Sequence, residues 1–98
     1  DIGNSVYGAT KASMALFTKV LSKELTSSHI RVNAVAPGLT NTNFATMMGQ
    51  KAIESMEQIS TMGRLGNPQE IANTIVFLAS DEASFINGQI IRIDGGLK

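Results

Sequence analysis

A capped helix between two short β-branched segments is the feature that most constrains how this chain can fold. In GNPQEIANTIVFLAS, Asn67 suits the N-cap, Pro68 the first helical position and Glu70 the third, and together they form a capping box. Residues 30–35 before this helix and QIIRID at 89–94 after it are typical of strands. Strand, helix and strand in this order predict a β-α-β unit with parallel strands and a right-handed crossover.

Two parallel strands need further cover, because parallel sheets are normally larger and buried on both faces. We therefore predict an α/β fold in which this chain forms the end of a larger domain. The chain starts with Asp rather than Met, which suggests a processed, engineered or partial product. The capped helix should bury one apolar side, formed by Ile71, Ile75, Val76, Leu78 and Ala79.

A longer helix is predicted from about Ser5 to Leu25. Its apolar residues cover roughly half or more of the circumference, counted at 100° per residue. An arc of that width suggests a second apolar contact beyond the sheet, such as a helix of another subunit. The polar side of the helix is marked by Lys11, Thr18, Lys19 and Ser22.

Residues 40–61 differ from the rest, since they are rich in Thr, Asn and Met and have weak helical periodicity. They predict an irregular loop with one or two short helices. Four methionines could line a pocket for an acyl or other apolar substrate, although filling gaps is the commoner use of methionine: Met47, Met48, Met56 and Met62.

Charge and composition exclude several classes of partner. Eight basic residues balance eight acidic ones, which argues against a nucleic-acid or anionic membrane surface. The absence of cysteine fits a reducing compartment such as the cytoplasm, and no apolar run approaches the ~20 residues of a membrane span. His29 lies between a helix and a strand, so we interpret it as a surface or C-cap residue and expect no metal site.

Tyr7 and Lys11, in the sequence YGATK, lie one helical turn apart on the same face. An ammonium group beside a tyrosine favours the phenolate and lowers the pKa of the hydroxyl, as does a helix N-terminus. Such a tyrosine could act as a general acid and base near neutral pH. The alternative is a surface tyrosine that packs on the lysine stem.

The segments YGATKASMALFTKVLSKEL, IRVNAVAPGLTNT and GRLGNPQEIANTIVFLASDEASFINGQIIRIDGG together resemble the C-terminal part of the short-chain dehydrogenase/reductase family. The resemblance covers nearly the whole chain and is greatest to its 3-oxoacyl-acyl-carrier-protein reductase and glucose-dehydrogenase-like branches. It implies the end of a Rossmann-type, doubly wound parallel sheet. Residues 1–38 would hold the catalytic helix and strand, 39–62 a substrate lid, and 63–98 the last helix and strand.

The same resemblance implies roles for individual residues. Tyr7 would be the general acid and base, and Lys11 would lower its pKa and bind the nicotinamide ribose. The cofactor, NADP or NAD, would be contacted by Tyr7, Lys11, Pro37, Gly38, the backbone of Thr40, and Thr42. Pro37 and Gly38 could instead only end a strand, and Thr42 could only cap a helix.

The family's glycine-rich phosphate loop, cofactor selector and catalytic serine would all lie before residue 1. We therefore expect the whole enzyme to move hydride between nicotinamide and a carbonyl or secondary alcohol, and the isolated chain to be inactive. The alternative is a non-catalytic, self-associating module. Both fit a homo-oligomer, dimer or tetramer, since the first helix and the last helix with its strand are common subunit interfaces in the family.

Overall fold

The computed structural model describes residues 2–97, and within them all side chains except those of residues 2–4, 7 and 44. The helices and strands of this part, in chain order, are α1 Ile2–Leu25, β1 Ala34–Pro37, α2 Asn43–Met47, α3 Gln50–Glu57, α4 Pro68–Ala79 and β2 Ile90–Ile93. Short 3₁₀ turns follow α1 and α4. One or two short helices were predicted within residues 40–61, and the structure has two there, α2 and α3.

β1 and β2 pair in parallel, as predicted, with Ala34 opposite Ile90 and Pro37 opposite Ile93. The ladder continues past β1, because the backbone N–H of Gly38 donates to the Ile93 carbonyl at 2.8 Å. The two-stranded sheet and its helices form an α/β arrangement.

The predicted position of the first strand, residues 30–35, is wrong by several residues. Residues 32 and 33 bond to the loop before β2 instead of to a strand. The Val32 N–H donates to the Asn87 side-chain oxygen at 3.0 Å, and the Gly88 N–H donates to the Val32 carbonyl at 2.8 Å. The Asn33 side-chain amide donates to the Ile86 carbonyl at 2.9 Å. These polar side chains shift the start of β1 to Ala34.

The start of α4 follows the sequence prediction closely. The Asn67 side chain accepts from the Gln69 N–H at 3.0 Å, and the Glu70 carboxylate accepts from the Asn67 N–H at 2.9 Å. Pro68 is the first helical residue. The capping box is therefore confirmed in both halves.

The predicted burial of the apolar side of α4 is wrong. No residue of the helix is buried: Ile71 and Leu78 are half-buried, and the other three are exposed, Val76 by 68%. An open groove of about 630 Å³ remains between β1 and α4, and Ile75 and Leu78 line it. A narrow sheet of two strands covers too little of the helix to bury its apolar side.

The longest helix, α1, begins at Ile2 rather than near Ser5, and it packs through two residues of its polar side. Thr18 and Ser22 are only 4% and 3% exposed. Each hydroxyl donates to a carbonyl of its own helix, Thr18 to Met14 at 2.8 Å and Ser22 to Lys19 at 2.7 Å. Because these hydroxyls already have partners, burying them costs little.

The opposite, apolar side of α1 faces away from the rest of the described chain. Val6, Leu16 and Phe17 are each more than 60% exposed. This leaves the predicted second apolar contact available to a partner, and that contact stays a prediction.

The chain as a whole buries little. The only buried hydrophobic residues among those described are Ala45 and Ala83. Its accessible surface is 7227 Å², whereas a compact protein of its mass exposes about 5,400 Å². The described residues therefore have almost no hydrophobic core, and their apolar faces need cover from elsewhere.

Candidate functional site

Tyr7 and Lys11 lie on the N-terminal half of α1, four residues and hence about one turn apart. The Tyr7 side chain lies outside the described residues, so its role stays a prediction. The Lys11 side chain is described and lines a groove beside the sheet.

This groove, of about 270 Å³, lies between α1 and the sheet. It is lined by Thr10, Lys11 and Met14 of α1, by all four residues of β1, and by Ile90. Lys11 and Pro37, two of the predicted cofactor residues, thus share one cavity. Pro37 ends β1, and ligands of open parallel sheets bind beyond the carboxyl ends of the strands.

Gly38 follows the end of β1 and touches the end of β2. A Cβ built on Gly38 would lie 2.7 Å from the Cβ of Asp94, closer than real side chains approach. The Thr40 hydroxyl donates back to the Gly38 carbonyl at 3.1 Å. Glycine at this position therefore does more than end a strand, because it lets the loop pass against the β2 exit.

Thr42 occupies the N-cap of α2. Its hydroxyl oxygen accepts from the Ala45 N–H at 3.4 Å, while its own N–H donates to the Thr40 carbonyl at 2.9 Å. The helix-cap role given as an alternative is thus present. It leaves a cofactor contact open, since an accepting hydroxyl keeps its own proton to donate.

The loop before α4 contacts the residues predicted to bind the cofactor. This contact was not predicted from the sequence. Gly66 forms a parallel bridge with Thr40. The Gly66 N–H donates to the Leu39 carbonyl at 2.9 Å, and the Asn41 N–H donates to the Gly66 carbonyl at 2.7 Å. No local pattern signals this contact, because the two segments are far apart in the chain.

Arg64 and Glu70 form an ion pair across the same loop. The guanidinium donates twice to the carboxylate, at 2.8 and 2.9 Å. These bonds, with a further one from the Asn67 N–H, lower the pKa of Glu70 to about 2. The same bonds raise the pKa of Arg64. The capping box predicted the Asn67–Glu70 contact, whereas the partner at position 64 carried no helical signal.

The segment predicted to be a lid, residues 39–62, is bonded at its C-terminal end to the turn that follows β2. The Thr61 N–H donates to the Gly96 carbonyl at 2.6 Å and the Met62 N–H to the Gly95 carbonyl at 3.1 Å. Gly95 and Gly96 both have positive φ, at 66° and 81°. The turn therefore holds the C-terminal end of residues 39–62 in place.

In the part of the chain that the structure describes, no helix is both long and apolar enough to cross a membrane.

Comparison with known proteins supplies the family. A family model described as enoyl-(acyl carrier protein) reductase matches residues 2–98. The chain is 47% identical over 95 residues to a 3-oxoacyl-[acyl-carrier-protein] reductase of Thermotoga maritima, which covers 97% of the chain and 39% of that protein. It is 41% identical to a 3alpha-hydroxysteroid dehydrogenase of Mediterraneibacter gnavus, covering 94% of the chain and 37% of that enzyme.

A solved structure gives the same result for the fold. The crystal structure of a 3-oxoacyl-[acyl-carrier protein] reductase from Brucella melitensis superposes with a TM-score of 0.87 at 40% identity, over 93% of this chain and 34% of that one. The chain thus spans well under half the length of the relatives it matches. Over that length, it belongs to the short-chain dehydrogenase/reductase family.

Proposed function

We propose that this chain is the C-terminal part of an NAD(P)-dependent reductase that acts on 3-oxoacyl groups carried by acyl carrier protein. The observation that carries the proposal is the groove along β1 that Lys11 and Pro37 share. The similarity to 3-oxoacyl reductases over nearly the whole chain supports the substrate class. The cytoplasm is the location that this activity and the cysteine-free composition suit best.

The residues of the groove suit the nicotinamide half of the cofactor. Lys11 supplies an ammonium donor for ribose hydroxyls, and the apolar β1 residues supply a flat surface for a ring. Beyond the groove, the loop that follows carries the hydroxyls of Thr40 and Thr42. When bound, the cofactor supplies the hydride, and the protein supplies position and electrostatics.

This chain would supply the residues that transfer the proton. The Tyr7 hydroxyl would give a proton to the substrate oxygen during reduction and take one back during oxidation. Lys11, one turn along α1, would stabilise the phenolate through its positive charge. The proton donor and the positive charge that lowers its pKa would therefore lie on the same helix, α1.

The lid fits a substrate with an apolar chain. Met47 and Met48, at the end of α2, are exposed and present flexible thioether side chains to solvent. An acyl chain could cover them when the lid closes. The two fastened ends, at Thr40–Gly66 and at Thr61–Gly96, would hold the lid while α2 and α3 move.

Exchange of Tyr7 for phenylalanine tests the proposal in the whole protein that contains this sequence. We expect reduction of an acetoacetyl thioester to fall by at least about 100-fold, since a general acid contributes roughly 10²–10⁴ to rate. NADPH and NADH affinity should stay nearly unchanged. Ser13→Ala, an exposed position on the same helix, is the matched control. Near-normal turnover in Tyr7→Phe would remove this residue from the mechanism.

A second candidate function is self-association without catalysis. It is favoured by the exposed apolar side of α1, which includes Leu16, Phe17 and Val20. On this view, the 98-residue chain is inactive and a second copy covers that side. Sedimentation velocity of the isolated chain decides the point, because a folded monomer at low concentration contradicts it. Tight NAD(P)H binding by the isolated chain would contradict its proposed inactivity.

A further inference from the structure

The Arg64–Glu70 pair is unusually well connected for a surface ion pair. Both side chains are about half-exposed, and such pairs normally add little to stability. Here the carboxylate receives two bonds from the guanidinium and one from the Asn67 N–H. The guanidinium also donates to the Leu65 carbonyl at 3.1 Å. The loop of residues 64–67 is therefore closed around one carboxylate.

The closed loop holds Gly66 in the position from which it meets the segment after β1. Its N–H and carbonyl bond to Leu39 and Asn41, on the two sides of Thr40. Thr40 in turn bonds to Gly38 through its hydroxyl and to Thr42 through its carbonyl. A continuous set of short bonds thus runs from the ion pair to residues 38–42.

We propose that Arg64 and Glu70 are positioning residues that fix residues 38–42 in the conformation that receives the nicotinamide. This rests on the proposed function, since Gly38, Thr40 and Thr42 are proposed to contact the cofactor. The pair touches neither cofactor nor substrate and acts only through Gly66. Its loss loosens cofactor binding and leaves the proton chemistry of Tyr7 in place.

The chain offers two variants that separate this role from simple helix stability. Arg64→Met removes the paired bonds but leaves the capping box, because the Glu70 carboxylate still accepts from the Asn67 N–H. Asn67→Ala removes the side-chain cap on the Gln69 N–H but leaves the paired bonds. Arg64→Met therefore opens the loop of residues 64–67 without weakening the start of α4. Asn67→Ala weakens the start of α4 without opening the loop.

Fluorescence titration with NADPH and with NADH, on the whole protein, measures the effect. We expect Arg64→Met to raise the Kd of the preferred cofactor about tenfold, which corresponds to a loss of roughly 1.4 kcal/mol of binding free energy. Saturated kcat should fall much less than the cofactor affinity. Asn67→Ala should lower the thermal midpoint and leave the Kd unchanged. Glu70→Gln, which keeps an acceptor for the cap, repeats the test if Arg64→Met fails to fold.

Amide hydrogen exchange adds a readout that needs no cofactor. The proposal expects faster exchange at the Gly66 and Asn41 N–H groups in Arg64→Met, and no change there in Asn67→Ala. Equal Kd values for wild type and Arg64→Met, or equal effects of the two variants, would overturn it. If the wild-type protein binds neither dinucleotide, the proposed function fails, and unchanged exchange in Arg64→Met would then refute the positioning role separately.

Discussion

Replacing Gly88 by alanine should dislodge α1 from the loop that precedes β2. Gly88 has a φ of 72°, in the left-handed region that side chains disfavour. A Cβ built there would lie 2.7 Å from the Ser22 hydroxyl oxygen and 3.4 Å from the Ser22 Cβ. Ser22 is buried and cannot turn away without losing its bond to the Lys19 carbonyl.

The expected cost has two parts. The left-handed backbone costs a non-glycine residue roughly 1–2 kcal/mol. Forcing a methyl group against a packed side chain costs about 1–3 kcal/mol more. Gly88→Ala should therefore reduce the free energy of unfolding by about 2–5 kcal/mol.

The second part of this cost, the steric clash, depends on the Ser22 hydroxyl oxygen and can be removed by mutation. Ser22→Ala deletes the hydroxyl, after which the nearest atom to the new methyl group is the residue 22 Cβ at 3.4 Å. In that background Gly88→Ala should cost only the backbone part, roughly 1–2 kcal/mol. The double-mutant cycle should give a coupling energy of about 1–3 kcal/mol.

Urea unfolding of the four proteins, wild type, both single variants and the double variant, measures the cycle. Ser22→Ala alone should shift stability by no more than about 1 kcal/mol, because its hydroxyl bonds only to a helix carbonyl. A coupling energy near zero would refute the contact. It would mean that α1, with Tyr7 and Lys11, does not sit against the Gly88 loop.

Two further predictions concern the surface. His29 has a φ of 61° as the C-cap of the turn after α1, so His29→Gly should raise the free energy of unfolding by roughly 0.5–1 kcal/mol in urea denaturation; a loss of stability would show that the imidazole makes a contact worth more than the strain. Glu70 has its folded pKa lowered from 4.5 to about 2, so its contribution to stability is complete at neutral pH and disappears as the pH falls from about 4.5 towards 2. Glu70→Gln should lack this step in an acid titration of unfolding, and an identical acid profile would contradict the lowered pKa.

Local chemistry predicted some elements well. The start of α4 depends on Asn67, Pro68 and Glu70, which lie within four residues, so the pattern is complete in the sequence. The parallel pairing of β1 and β2 follows from the intervening helix, because a crossover of that kind reverses the direction twice. The spacing of Tyr7 and Lys11 is likewise local, and the catalytic role predicted for Tyr7 stays a prediction.

The features that the sequence did not reveal depend on distant partners. β1 starts at Ala34 because Asn87, far along the chain, takes the Val32 N–H. Thr18 and Ser22 can face inwards because each hydroxyl already has a partner within its own helix. The polarity of a residue alone does not show this. Gly66 bonds to Leu39 and Asn41 in the loop after β1, and these partners are far from it in the chain.

The contact between the end of α1 and the loop before β2 has a consequence for synthesis on the ribosome. The Asn87 amide that bonds the Thr26 hydroxyl is 61 residues further along the chain. At about 5–20 residues per second, that partner follows Thr26 by roughly 3–12 s. During this interval the end of α1 lacks its loop partner. The contact that fixes the end of α1 against this loop therefore forms only after translation has passed residue 88.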